Sequence, residues 1–157
     1  LKIPAIALCI GAVVKLILNI ALISIPSLNI YGADINPEAI SIAKYHAKRA
    51  GVEKFVRFEV ADARKFKTEE KYGVLISNPP YGERMGEREE IERLYQQLGG
   101  SFKALYPWQI YVLTSSDRFD RLYGQRADKV KKLYNGMIPC NLYEFFKPAE
   151  FKKGQRK

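Results

Sequence analysis

From Asn29 onward the apolar positions switch back and forth between short continuous or alternating runs and stretches spaced three and four apart. Such switching predicts a parallel sheet whose strands are joined by crossover helices. NIYGAD reads as a strand ending at Asp34. The segment after it, INPEAISIAKYHAKRAG, has a helix start written into it: Asn36 as N-cap, Pro37 at the first position, Glu38 in the first turn, and Ile35 set to pack against Ile40. Gly51 supplies the stop. KFVRFEVAD then reads as a second strand ending at Asp62, and YGVLISN as a third ending at Asn78. REEIERLYQQLGGSFKAL is a helix with Ile91, Leu94, Tyr95 and Leu98 on one face, and WQIYVLTS is a fourth strand. KVKKLYNGMIPCNLYEFF divides into two strands about a turn, so the sheet is expected to end in an antiparallel hairpin. His46, among Lys44, Lys48 and Arg49, belongs to a solvated helix face.

The opening is different in kind. Ala5 to Ile25 is almost unbroken in its apolar character and long enough to suggest a membrane span. Lys15 and Asn19 near its middle argue against that, since a central lysine costs about 2.5–3.5 kcal/mol on insertion scales. A buried helix or strand–helix piece is expected instead, with no membrane partner. No charged leader and small-residue cleavage site mark a signal peptide. The start at Leu1, already apolar, suggests a piece of a longer protein.

Composition narrows the class. A chain of 157 residues, 47% of them apolar, suits one core and one domain, placed at 1–150, with a frayed basic tail at 151–157. Cys9 and Cys140 have no metal or redox spacing, which fits buried thiols in a reducing, cytoplasmic setting and calls for no metal. The net charge is +9, and its placement matters more than its size. Residues 1–102 carry 14 Lys and Arg against 12 Asp and Glu, whereas residues 103–157 carry 12 against 5, so +7 of the +9 sits in the last third. That imbalance fits either a solvated basic face or a nucleic-acid partner. Arg118, Arg121, Arg126, Lys129, Lys131 and Lys132 are the candidates for backbone contact. The interleaved Tyr106, Trp108, Tyr111, Tyr123, Tyr134 and Tyr143 are expected mostly in core or hairpin positions.

Three successive strands thus end on Asp34, Asp62 and Asn78. In an open parallel sheet ligands bind beyond the carboxyl ends of the strands, so the three face one crevice. The third is followed by Pro79, Pro80 and Tyr81. Proline fixes φ and lacks an N–H, so two in a row hold the chain in an elbow that neither continues a strand nor enters a helix interior. The Asn78 amide oxygen and the neighbouring backbone carbonyl then converge on one point. Two such acceptors suit a planar primary amine, and an adjacent aromatic ring can stack on the flat group that carries it. This is the logic of chemistry on an exocyclic base nitrogen taken out of its stack.

NPPY after a hydrophobic strand resembles the motif of class I S-adenosylmethionine-dependent amino-methyltransferases. The longer NPPYGER, with LTSSDRFDRLYGQRADKVKKLYNGMIPCNLYEFF downstream, is similar to the ribosomal RNA large-subunit guanine N2-methyltransferase group, over residues 29–148. The resemblance implies a Rossmann-like α/β methyltransferase fold, mostly parallel with helices on both faces. It also implies S-adenosylmethionine as cofactor, ribosomal RNA as partner, and a preceding RNA-binding THUMP domain. By the same resemblance Asp34 binds the cofactor ribose hydroxyls, Ile35 lines the adenine pocket, Asp62 meets the adenine amino group, and Ala63 adds its backbone amide. Asn78, which also borders the cofactor, and Pro79 accept from the target amine, Pro80 fixes the turn and Tyr81 stacks on the base. Arg84 contacts phosphate or the substrate base, or else pairs with Glu83 or Glu87 at the surface.

One departure stands out. The family carries a glycine-rich loop after its first strand, whereas LCIGAVVKL has no Gly-x-Gly and puts Val13 and Val14 where backbone must approach the ligand. Either the first strand and loop are cut away, or the opening is a corrupted reading, or the domain has lost its cofactor. The first two are expected, because NPPY is intact. Adenine N6 of DNA, a protein glutamine amide, or a non-catalytic RNA-binding remnant are the alternatives to guanine N2.

Overall fold

A computed structural model describes residues 5–8, 29–81 and 88–147. Among them lie β1 (Ala5–Leu8), β2 (Ile30–Asp34), α1 (Pro37–Arg49), β3 (Val56–Val60), a 3-10 turn (Ala63–Lys65), β4 (Val74–Ser77) and α2 (Arg88–Lys103). They continue with β5 (Gln109–Thr114), α3 (Phe119–Tyr123), β6 (Lys129–Asn135) and β7 (Ile138–Phe145). The strands form one sheet in the order β3-β2-β1-β4-β5-β7-β6. β1 to β5 are parallel, and β7 joins antiparallel to both β5 and β6. This is the expected doubly wound sheet with its terminal hairpin.

Successive residues of a strand point to opposite faces. Ile30 accordingly packs with Ala47, Val52 and Val56 on the α1 side. Tyr31, one residue on, joins Phe66 and Trp108 on the other side, where α2 and α3 lie. That second face holds the larger core, including Leu75, Tyr95, Leu98, Phe102, Val112, Phe119, Tyr123 and Phe145. On α2 the expected stripe is inward, with Tyr95 and Leu98 buried and Ile91 and Leu94 half-buried, and Gly99 extends it.

The cap of α1 forms as its letters predict. The Asn36 side chain accepts from the Glu38 N–H at 2.9 Å, Pro37 opens the helix, and Lys48 and Arg49 stand in the last turn, where cations suit the dipole. Gly51, at φ 68°, takes the left-handed position that ends it. His46 is exposed, as expected.

Four details differ from the sequence expectation. Ile35 does not tuck in beside the buried Ile40; it is 65% exposed at the rim of the sheet. β3 stops at Val60, and Asp62 lies two residues past it, because its side chain accepts from the Arg64 N–H and starts the 3-10 turn instead. The short helix α3 went unforeseen because it holds only five residues. Finally, Ala5–Leu8 fills the central slot between β2 and β4, so a first strand is present. The stretch 9–28, with Cys9 and the place of the glycine-rich loop, lies outside the described residues, as do Glu83, Arg84, Glu87 and the basic tail.

Candidate active site

The parallel register puts Asp34, Val60, Ser77 and Thr114 at the carboxyl rim of the sheet, and a cavity of about 440 Å³ opens there. Its walls include Asp34 and Ile35 from the end of β2, Asp62 and Ala63 from the loop after β3, and Asn78, Pro79 and Pro80 from the elbow after β4. Six strand-end and loop positions far apart in sequence, plus Pro80, therefore meet as expected. Tyr81 stands beside them, joined to Asn78, while Arg84 lies outside the described residues. The opposite wall is α2, through Ile91, Leu94 and Gln97. A second cavity of about 570 Å³ shares Ala33, Asp62 and Ala63 and continues toward Phe66 and Trp108.

Both carboxylates at this rim are held by local bonds. Asp34 Oδ1 accepts from the Asn36 N–H at 2.8 Å, which sets the carboxylate at the strand end. Asp62 is gripped by Arg64: Oδ1 accepts from the backbone N–H and from Nε, both at 2.9 Å, and Oδ2 accepts from Nη2 at 2.6 Å. The Arg64 side-chain bond holds the Asp62 carboxyl below the usual carboxylate range, against the opposing pull of burial. Arg64 also donates to Gln97 Oε1 at 3.3 Å, and its carbonyl accepts from the Ser101 hydroxyl, so the loop after β3 is tied to α2.

The elbow is held from beneath. Pro79 is buried, Asn78 is half-buried, and the Tyr81 hydroxyl donates to Asn78 Oδ1 at 2.6 Å. Tyr95 of α2, 1% exposed, donates its hydroxyl to the Pro80 carbonyl at 2.9 Å. Tyr95 Oη also lies 2.8 Å from Thr114 Oγ1 at the end of β5. A carbonyl only accepts, so the single Tyr95 proton goes to Pro80 and Thr114 must donate to Tyr95. Thr114 Oγ1 in turn accepts from the Ser116 N–H at 3.2 Å, and the Ser116 carbonyl accepts from Tyr143 at 2.9 Å. Burial raises the Tyr95 pKa and keeps it a donor.

Neither Tyr95 nor Arg64 was singled out from sequence. The spacing places Tyr95 only in an apolar stripe, although a buried tyrosine needs a partner for its hydroxyl, and that need is the available signal. Arg64 carried none beyond its place two residues after an aspartate.

Tyr95→Phe removes the acceptor of the buried Thr114 hydroxyl and the donor to the Pro80 carbonyl at the exposed elbow. Urea denaturation should show a loss of about 1–3 kcal/mol, the cost of an unsatisfied buried polar group. Thr114→Val also costs stability, because it takes the acceptor from the Ser116 N–H, and since the two side chains share one bond the double variant should lose less than the sum of the two single losses. A loss under about 0.5 kcal/mol, the size of an ordinary surface change, would mean that the elbow is not held this way.

Among the described residues no group of His, Cys, Asp and Glu is placed to hold a metal, and no helix is long and apolar enough to cross a membrane.

Comparison with known proteins places these features in a wider set. A family model described as an RMKL-like methyltransferase domain matches residues 12–144. The ribosomal RNA large subunit methyltransferase K/L of Shewanella frigidimarina is 44% identical over 119 residues, covering 74% of this chain and 17% of that protein. The chain spans less than a third of the length of the curated relatives that it matches. Among solved structures, SMU.472 complexed with SAH superimposes with a TM-score of 0.82 at 28% identity, over 92% of this chain and 48% of that one. A predicted N6-adenine-specific DNA methylase from Listeria monocytogenes is 40% identical, with a TM-score of 0.68, over 77% of this chain and 31% of that one.

Proposed function

We infer function from family and cavity together: this chain belongs to the RMKL-like methyltransferase domain family, and its rim site methylates the exocyclic amino group of a base in RNA, guanine N2 of ribosomal RNA. S-adenosylmethionine is the methyl donor. The observation that carries the reading is the single cavity of about 440 Å³ in which the Asp34 and Asp62 carboxylates face the Asn78-Pro79 elbow. The names borne by relatives support it: one acts on large-subunit ribosomal RNA, and another is complexed with SAH.

The residues present suit the donor. Asp34 is ionisable, half-buried and fixed by its bond to Asn36, which suits a pair of ribose hydroxyls. Ile35 offers an exposed apolar surface beside it for a purine face. Asp62 supplies oxygens for an exocyclic amino group, with Arg64 keeping them charged and oriented. Bound there, the donor supplies an electrophilic methyl group on sulfur.

On the acceptor side the protein positions rather than activates. Asn78 Oδ1 accepts one N–H of the target amine and the Pro79 carbonyl the other, so the nitrogen lone pair faces the methyl. For this the Tyr81 hydroxyl leaves Asn78 Oδ1, and its ring covers the base. As the nitrogen gains the methyl it becomes cationic and acidic, and it sheds a proton to water without needing a strongly basic side chain.

Incubating the chain with labelled S-adenosylmethionine and large-subunit ribosomal RNA, then digesting the RNA to nucleosides, tests the reading. N2-methylguanosine in the mass spectrum is the expected product. N6-methyladenosine would move the chemistry to the base named for the Listeria relative, and no transfer to RNA at all would overturn the proposal.

A further inference from the structure

The register of the hairpin shows where its tip goes. Asn141 of β7 pairs with Thr114, the last residue of β5, so Ile138, Pro139 and Cys140 run past the end of β5. Three strand residues add about 10 Å, and β6 accompanies them as far as the Asn135–Ile138 pair. β6 rises in the same direction as β1 to β5, so the turn overhangs the carboxyl rim, the rim that carries the elbow at Asn78. In the strand order β6 stands three places from β4, about 14 Å away at ordinary strand spacing.

What the overhang displays is unusual for an edge. Tyr134 is 77% exposed and Met137 97% exposed, with Leu133 and Ile138 also open to solvent. Solvated edges are ordinarily protected by charge, not by an aromatic and a cluster of aliphatic side chains. Lysine is present as well. Lys131 is spent on the buried Glu144 carboxylate, at 2.6 Å, whereas Lys132 makes no ion pair among the described residues. Alternation along β6 puts Val130, Lys132 and Tyr134 on one face, and Val130 lies opposite Tyr143, which packs on Phe119. Lys132 and Tyr134 therefore look out on the α2 and α3 side, the side from which Tyr95 supports the elbow. No acidic residue occurs from Lys129 to Tyr143.

An exposed ring, a cation on the same face one alternation away, and freedom from acids describe a surface for single-stranded nucleic acid. Rings stack on bases of any sequence, and lysine meets the phosphate beside them. We propose that the β6–β7 tip is a stacking platform for nucleotides flanking the target base, with Tyr134 under a base and Lys132 on the backbone. The proposal rests on the RNA reading above and adds to it a second point of attachment that holds the strand while one nucleotide sits in the cavity.

The test is fluorescence anisotropy of the full chain with a labelled, unstructured single-stranded oligoribonucleotide, over a salt series. Tyr134→Ala should weaken binding about tenfold, as loss of a base–aromatic stack does. Tyr134→Phe should stay within about twofold of the parent, since phenylalanine keeps the π-face. Lys132→Ala should lower the slope of log K against log salt by about 0.7, one phosphate's worth on a single strand. Parent-like affinity in Tyr134→Ala, while the parent itself binds, overturns the platform and leaves the methyltransferase reading standing. A parent chain with no RNA affinity overturns the RNA reading and the platform with it. Substitutions that change self-association in sedimentation but not RNA affinity would assign the tip to a protein contact instead, which also overturns the proposal.

Discussion

Asn78→Ala lowers the turnover of methyl transfer by about a hundredfold or more, the cost of deleting one preorganised hydrogen-bonding group at a reacting centre. Alanine removes the acceptor that orients the amine, while Pro79 and Pro80 still fix the elbow and Tyr95 still holds the Pro80 carbonyl. The damage should therefore appear in turnover and spare RNA affinity, which is proposed above to rest on the hairpin tip. Thermal unfolding should move less than turnover does, since Asn78 is only half-buried and its bond with the Tyr81 hydroxyl lies at the rim. Single-turnover assays at saturating RNA and donor, run beside RNA titrations, separate the two effects. Full turnover in the variant would remove the amide from the chemistry. Loss of RNA affinity in parallel with turnover would make it a binding group only.

The legibility of this site follows from how locally each feature is encoded. Asp34 and the elbow were readable because a strand end, a proline pair and a helix cap are written in adjacent letters, and the Asn36-Pro37 start of α1 places Asp34 at the rim by itself. Asp62 was readable as a site residue but not as a strand end. Its own turn with Arg64 competes with the sheet, and that competition depends on a side-chain bond that no periodicity reports. The Tyr95 to Thr114 contact joins residues 19 apart in sequence, and only the packing of α2 over β5 reveals it. The hairpin was plain from its turn and alternation, yet its three-residue overhang is a matter of register against β5, which the pattern within the hairpin does not contain. Burial sorts the aromatic residues of the last third in the same way. Trp108, Tyr123 and Tyr143 are core, whereas Tyr134 has the same letter and the opposite exposure.

The pair Gly99 and Gly100 carries that lesson to a measurable end, because two identical neighbours in α2 should respond to alanine with opposite signs. A Cβ on Gly99 would collide with the Tyr123 carbonyl oxygen and lie 2.8 Å from its carbon, so the helices α2 and α3 touch backbone to backbone there. Tyr123 cannot retreat cheaply: its ring is 1% exposed and stacked on Phe145 with centroids 4.5 Å apart. Alanine gains up to about 1 kcal/mol of helix propensity over glycine. Overpacking costs about 1–3 kcal/mol, and a contact this close against fixed backbone belongs at or beyond the upper end. Gly99→Ala should therefore lose about 2 kcal/mol or more, a fall of roughly 4–8 °C in Tm for a chain of this size. Gly100, next along and exposed, has nothing within 4 Å of the added carbon, so only the propensity term acts. Its alanine variant should gain up to about 1 kcal/mol, or roughly 2–4 °C. Differential scanning calorimetry of the two single variants decides it, and equal shifts of either sign would show that α2 and α3 are not in backbone contact. Function should follow the first variant and not the second. Tyr95 lies one turn before Gly99 on α2, so pushing the helix off α3 carries away the hydroxyl that holds the Pro80 carbonyl. Turnover in Gly99→Ala should accordingly fall well below the parent's even at temperatures where the variant is fully folded, while Gly100→Ala keeps the parent's rate.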